Sequence, residues 1–435
     1  MKSNHNKLIQ VFEYDILVVD QLYNEVIFTK DYFNAFNSYY GIKGVPYFSL
    51  FRNGVRFNQF VGVIQINGLT IEVLPKADRD SSSSQISTWH NVLINMLKRV
   101  GLFTTSSTGI SSLKLKANSI LDLYFELFVQ EVEQLFHKGL VKKYHKTEQN
   151  IPTLKGKLLF AKHIQKNLVH QERFYSEFIT YDRDHPLNRV LYKTLLLLRQ
   201  LNTHSDLTGR INSLLLDFPE LPDISVSENF FDRIVYNRKT ENYRTSIEIA
   251  KLLLLNYHPD IQSGRNSVLA LMFDMNRLWE KYIYVMLRKV SSDFGSDVFS
   301  QRKMEFWNGQ YIKPDIVIQK DDVNYILDTK WKLVNNSRPD DADLKQMYVY
   351  NIYWNSEKAI LLYPTNNDST SNETDFKEYK TSGKEGKNSC KVGFVNVLDE
   401  NKLDMNIGLN IFKKLGIDKA GAVQYLYFEW KFYET

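Results

Sequence analysis

Two aspartates and a lysine carry the chemistry that the residue pattern of this chain suggests. In YIKPDIVIQKDDVNYILDTKWK (residues 311–332), Asp315 and Asp328 stand at the outer ends of two short apolar runs, and Lys330 follows the second acid. Residues 316–318 and 325–327 are β-branched, aromatic or leucine and read as buried strands. The polar segment between them suits a tight turn. With Asp321-Asp322 as a two-residue hairpin loop, Lys320 faces Val323, Val317 faces Ile326, and Asp315 faces Asp328. Residues opposed in this way hold their Cβ atoms about 4.5–5.5 Å apart, where like charges repel. Strand side chains two apart share a face, so Lys330 joins the acids. Two carboxylates forced together beside one ammonium make sense with a divalent cation between them. Mg²⁺, or Mn²⁺ in its place, takes carboxylate oxygens and keeps some waters, and the Thr329 backbone carbonyl offers one further ligand. Such an ion activates water and neutralises charge on a scissile phosphate. Lys330 can orient the water or stabilise the developing charge. The chemistry favoured is phosphodiester hydrolysis. The blander reading makes the acids solvent-facing strand ends with Lys330 as a salt-bridge partner, and the ordered Pro-Asp, hairpin and Asp-x-Lys weigh against it.

These residues need elements to position them. A helix near 340–355 carries Gln346, Tyr350 and Trp354 at i, i+4, i+8 on one side, a pattern that packing alone also explains. A long helix is expected over about 267–290, with strands near 297–306, 311–318, 324–331, 359–363 and 391–398. Residues 365–389 are nearly free of apolar side chains and read as a surface insertion. Its GKEGK, with FVNVLDE after it, imitates a phosphate loop. That loop needs GxxxxGK followed by Ser or Thr, and neither Gly383-Lys384 nor Gly386-Lys387 meets both conditions. The first third reads as β, with Asn-Gly turns inside residues 51–57 and 63–74. Serines 81–84 look like a joint, and helical periodicity follows over 88–100, 120–137, 188–201 and 245–256. The expected class is a multidomain α/β (α+β) protein. Its divisions are a β-rich N-terminal domain (1–115), a mainly helical middle (116–262) and a C-terminal mixed-sheet domain (263–435).

Composition sets the limits. A chain of 435 residues is too long for one ordinary core. Its net charge of +5 permits nucleic-acid binding without arguing for it. Cys390 is the one cysteine, which excludes intrachain disulfides and a cysteine-based zinc site and fits a reducing, cytoplasmic setting. The first fifteen residues lack the apolar run of a signal peptide, and the apolar runs at 195–198 and 252–255 are far short of a membrane span.

The proline-aspartate, aspartate-x-lysine order resembles the PD-(D/E)xK nuclease superfamily, whose core is a mixed sheet flanked by helices. Several members add a glutamate from a preceding helix, here Glu280 in FDMNRLWEKYI (273–283). Further motifs precede it in order: VGVIQINGLTIEVLPKAD (61–78), LKGKLLF (154–160), YDRDHPLNRVLYKTL (181–195) and MNRLWEKYI (275–283). Together they are similar to the McrC family, the nuclease subunit of McrBC-type modification-dependent restriction systems, over about residues 55–435. The resemblance implies a DNA endonuclease of anti-phage defence that works with an McrB-like, GTP-hydrolysing AAA+ ring. The ring would recognise DNA carrying 5-methylcytosine, while the McrC-like chain stimulates GTP hydrolysis and cuts. It also implies catalytic roles for Asp315, Asp328 and Lys330, with Gln346 and Glu280 as additional positions. Residues 1–115 would dock on the ring, with Tyr and Phe of residues 31–51 as candidate anchors. Two competing readings are a non-catalytic adaptor that activates the ring and holds DNA, and a stand-alone repair nuclease. The intact acids and lysine weigh against the first and the long β-rich N-terminus against the second.

Overall fold

The computed structural model describes residues 7–43, 45–76, 85–101, 119–202, 204–258, 268–332, 339–366, 374–381 and 384–419. Serines 81–84 lie outside them. Strands β1 (Lys7–Phe12), β2 (Phe60–Ile66) and β3 (Leu69–Leu74) form most of an N-terminal sheet. β2 and β3 pair antiparallel across Asn67-Gly68, whose φ angles of 50° and 74° make the primed hairpin turn that Asn-Gly favours. The other Asn-Gly behaves differently. There Phe51 pairs with Gly54, so Arg52-Asn53 forms the turn and Gly54 belongs to the strand.

β1 lies parallel to β3 on one side. On the other side, β4 (Val268–Asp274) pairs antiparallel with β2. The sheet therefore joins the start of the described chain to a segment far along it, residues 257–274. The helix expected over 267–290 accordingly begins only at Met275. Residues 268–273 are a continuous apolar run, which periodicity cannot distinguish from buried helix. Gly62 of β2 has φ 136°, and an added Cβ would lie 2.1 Å from the Leu271 carbonyl oxygen, so this close approach requires glycine.

Helices α1 (Ile86–Arg99) and α2 (Ile120–Lys138) pack into the main core together with helices Pro186–Leu201 and Arg244–Leu255. The middle also holds a three-stranded antiparallel sheet of Lys143–Ile151, Lys157–Leu158 and Phe174–Asp182. Among the described residues, no helix is long and apolar enough to cross a membrane. The aromatic anchors expected within residues 31–51 are mostly core instead. Tyr32, Phe36, Tyr39 and Phe48 are buried against β1–β3, while Tyr40 and Phe51 are exposed.

Helix α3 (Met275–Val290) starts at Asp274, whose side chain accepts from the N–H groups of Asn276 and Arg277. Its buried stripe of Met275, Leu278, Trp279, Tyr282, Ile283, Met286 and Leu287 has helical spacing. Truncating a side chain such as Trp279 to alanine would cost about 3–5 kcal/mol.

After α3 come β5 (Asp297–Ser300), β6 (Ile316–Lys320), β7 (Val323–Thr329), α4 (Asp341–Tyr353), β8 (Ser356–Thr365), β9 (Lys377–Thr381), β10 (Lys384–Asn396) and α5 (Ile407–Leu415). The six strands form one mixed sheet in the order β5-β6-β7-β8-β10-β9. β7, β8 and β10 run parallel, and the other pairings are antiparallel. One face packs with α3 and α5 through Ile316, Ile318, Leu327 and Ile360. The opposite face packs with α4 through Val317, Ile326, Ala359 and Leu361. Residues 365–389, expected as a bare insertion, supply β9 and the start of β10. Lys384 to Lys387 are strand, paired with β9 through Lys384 and Glu385, and form no phosphate loop.

Candidate active site

The β6–β7 hairpin adopts the register that its residue pattern predicts. Lys320 pairs with Val323, Val317 with Ile326 and Ile316 with Leu327. Asp321 and Asp322 take φ 49° and 62°, a primed two-residue turn. The ladder stops at Ile316 and Leu327, and Asp315 leaves it. Its Oδ2 instead accepts from the Thr329 backbone N–H at 2.7 Å and the Thr329 hydroxyl at 3.0 Å. The Asp315 carboxylate is thereby bound one residue beyond Asp328, at the open end of β7.

Lys330 arrives on the Asp328 side, as strand alternation requires. Its Nζ lies 2.8 Å from Asp328 Oδ2 and 3.3 Å from Asp343 Oδ1. Asp328 Oδ2 is buried, and Lys330 is the one side chain that reaches it among the described residues. Asp328 is 2 % exposed. Burial, then the Asp315 charge, raises the Asp328 pKa, and Lys330 offsets only part of this. Burial likewise raises that of Asp315, against the pull of the two Thr329 bonds. Burial alone would lower the Lys330 pKa, but Asp328 and Asp343 together raise it and keep the ammonium charged.

Glu280 projects from α3 toward this end of the sheet. Its carboxyl is raised by partial burial and by the neighbouring Asp315 charge. Gln301 Nε2 donates to it at 2.8 Å, and Lys313 Nζ donates to Gln301 Oε1 at 3.3 Å. Gln346 is one step removed, donating to the Tyr350 hydroxyl, which donates to the Lys313 carbonyl at 2.9 Å. The structure thus brings Asp315, Asp328 and Lys330 together, sets Glu280 at their margin, and ties Gln346 to the wall.

Sequence reasoning missed Asp343, which holds both Lys330 and, at 3.1 Å, Lys332. A signal existed in the acidic run Asp340, Asp341, Asp343, but such a run reads first as a helix start. Gln301 and Lys313 carry no local signal at all.

The donor set suits a hard divalent cation. Among the described residues, no three His, Cys, Asp or Glu side chains gather into one metal-ligating group. The site on offer therefore has two carboxylates, a number that suffices for a cation that keeps its waters. Both Thr329 bonds fall on Asp315 Oδ2, leaving Oδ1 outside them. A cavity lined by His185, Phe230, Arg233 and Thr240 lies in the helical middle and contains none of these acids.

A family model described as the McrBC 5-methylcytosine restriction system component matches residues 55–364. The chain belongs to the McrBC family. One relative, the type IV methyl-directed restriction enzyme EcoKMcrBC of Escherichia coli (strain K12), is 24% identical over 181 residues. That match covers 40% of this chain and 51% of the relative, so the chain spans about half of that relative's length. The fold resembles a chain of the refined half-complex from the tetradecameric assembly of Thermococcus gammatolerans McrB AAA+ hexamers with bound McrC. The TM-score is 0.67 at 18% identity, covering 94% of this chain and 99% of that one.

Several motif residues of this McrBC-family chain do structural work away from the acids. In YDRDHPLNRVLYKTL, Asp184 pairs with Arg189 through two contacts of 2.5 and 2.8 Å. The buried Asn188 donates to the Val141 and Arg183 carbonyls and accepts from the Tyr243 hydroxyl. In LTIEVLPK, Glu72 is buried and hydrogen-bonded.

Proposed function

We propose that this chain is the Mg²⁺-dependent DNA endonuclease subunit of an McrBC-type restriction system. Its partner in this reading is an McrB-like AAA+ ring whose GTP hydrolysis it stimulates, and its target is methylated DNA. The observation that carries the reading is the convergence of Asp315 and Asp328 at one strand end, with Lys330 against Asp328. Crowding two partly buried carboxylates destabilises a fold unless something compensates, and a cation would. Asp315, Asp328 and the Thr329 carbonyl are the groups that would hold it. A divalent ion there would supply charge neutralisation at a phosphodiester and a more acidic water.

The protein's own side chains do the rest. Lys330 holds an ammonium where negative charge develops on the phosphate. Asp343 fixes that ammonium from the other side, so it stays in place if Asp328 turns to a cation. Glu280, kept more basic than an ordinary glutamate, faces the same end and can take up a proton or orient water. Contact with the ring is assigned to residues 1–115.

The test keeps the full chain, because β4 completes the N-terminal sheet and a fragment of residues 1–150 would lack it. Asp315→Ala should stimulate GTP turnover by the ring as wild type does and fail to cut DNA. Cleavage by this variant at the wild-type rate would remove Asp315 from the site. A wild-type chain without effect on GTP turnover would remove the ring assignment.

A further inference from the structure

Glu13 lies just past β1, on the far side of the sequence from the acids, and is 0 % exposed. Its Oε1 accepts from the Trp331 indole N–H at 2.6 Å and from the Lys76 backbone N–H at 2.8 Å. Its own N–H donates to the Leu74 carbonyl at 2.9 Å, which fixes the residue to the end of β3. Oε2 is buried with no hydrogen-bond partner among the described residues. A buried carboxylate with one unpaired oxygen is costly to keep. Burial pushes its pKa up to about 7 in spite of both donors. An arrangement of that cost invites a role.

The partner that Glu13 reaches is what defines the role. Trp331 directly follows Lys330. Its backbone N–H donates to Asn276 Oδ1 at 3.3 Å, and its ring meets Trp279 edge-on at 5.1 Å, so α3 holds it as well. The Lys330 N–H is bound to the Leu362 carbonyl of β8 at 2.9 Å. The lysine backbone is therefore fixed by the sheet on one side and by the seated indole on the other. A lysine has four rotatable carbons and places its ammonium well only if its backbone is held.

We propose that Glu13 is a positioning residue for Lys330: through the Trp331 indole, a carboxylate at the edge of the N-terminal sheet fixes the end of β7 and hence the ammonium between Asp328 and Asp343. The cleavage part of this inference rests on the hydrolytic reading of the site, and the hold on Lys330 does not.

Two measurements on the full-length protein separate them. The first is reductive methylation of Lys330, read by mass spectrometry against the exposed Lys345 in the same sample; it needs no catalysis. Glu13→Ala and Trp331→Phe should raise Lys330 labelling about threefold as the strand end loosens. Glu13→Gln keeps an oxygen that accepts the same two N–H groups and should label like wild type. The second is DNA cleavage with the ring and GTP. Glu13→Ala and Trp331→Phe should lower kcat about 10-fold with KM little changed, because a misplaced group costs rate rather than binding. Glu13→Gln should restore it. Should Glu13→Ala fail to fold, Trp331→Phe removes the same hydrogen bond with the carboxylate in place. Unchanged Lys330 labelling in folded Trp331→Phe overturns the inference whatever the cleavage rate. Raised labelling with wild-type kcat in the same variant overturns the positioning role. Normal cutting by an Asp328→Ala control would instead discard the hydrolytic reading and leave the hold on Lys330 standing.

Discussion

Glu72 and Asp328 are both acidic residues buried within sheets, yet their surroundings differ in kind. Glu72 Oε2 receives Gln10 Nε2 at 2.7 Å and meets His90 Nδ1 at 3.0 Å, while Oε1 takes the Ile120 N–H at 2.6 Å. That last donor is a free N–H of the first turn of α2, where the helix dipole also favours an anion. Asp328 has a second carboxylate beside it and a single lysine, whose Nζ lies 2.8 Å from its Oδ2. Burial alone therefore does not set the two acids apart; their partners do. Glu72 has its charge met by three polar groups, and Asp328 has a second carboxylate and one lysine beside it.

The largest expected effect tests that division at the acids. Asp328→Ala should lower DNA cleavage by about 10³-fold or more, the scale of removing a principal electrostatic element, while its melting temperature holds or rises. Wild type should gain thermal stability with Mg²⁺ or Mn²⁺ through linkage, and the variant should lose most of that response. The counterpart is Glu72→Ala, which leaves three groups short of a partner and should cost about 3 kcal/mol by urea unfolding. A Glu72→Ala protein as stable as wild type would end the contrast.

Proton linkage provides a smaller test. Asp315 and Asp328 both have raised folded-state pKa values, so the folded chain binds more protons than the unfolded one above the ordinary aspartate value of 3.8. Their stabilising contribution is complete below that pH and is lost as pH rises toward and through the raised values. Asp328→Asn should flatten this decline, and Mg²⁺ should offset it in wild type; thermal melts across pH 5–8 would show both. An equally steep decline in Asp328→Asn would mean that other groups cause it. The smallest effects belong to Glu280→Gln and Gln346→Ala. Each should slow cleavage only a few-fold without weakening ring binding, with Glu280 the larger. Wild-type rates in both would make these residues structural.

How much of this was legible follows from the range of the interactions. The β6–β7 hairpin could be read residue by residue, because strand alternation and a two-residue turn are local. The same logic placed Lys330 beside Asp328. It could not show that Asp315 would leave the ladder for the Thr329 N–H, which depends on where β6 begins. Residues 268–274 were misread as helix because a strand covered on both faces loses its alternation. The polar residues 377–381 form the edge strand β9, and 384–387 open β10, because pairing with one another can outweigh poor strand propensity. Asp343 and Glu13 meet the site only through tertiary packing, and no spacing in the chain announces them.

The junction between β4 and α3 has a mechanical consequence. Asp274 is at once the last residue of a strand in the N-terminal sheet and the cap of the helix that carries Asn276, Trp279 and Glu280. Met275, the first helical residue, also donates its N–H to the Gln59 carbonyl at 2.9 Å. No loop separates the two elements, so the Asp274–Met275 junction is the one place where the chain between them could bend. A torque applied to the N-terminal sheet would reach the helix as rotation of a stiff rod, and Glu280 and the seat of Trp331 would turn with it.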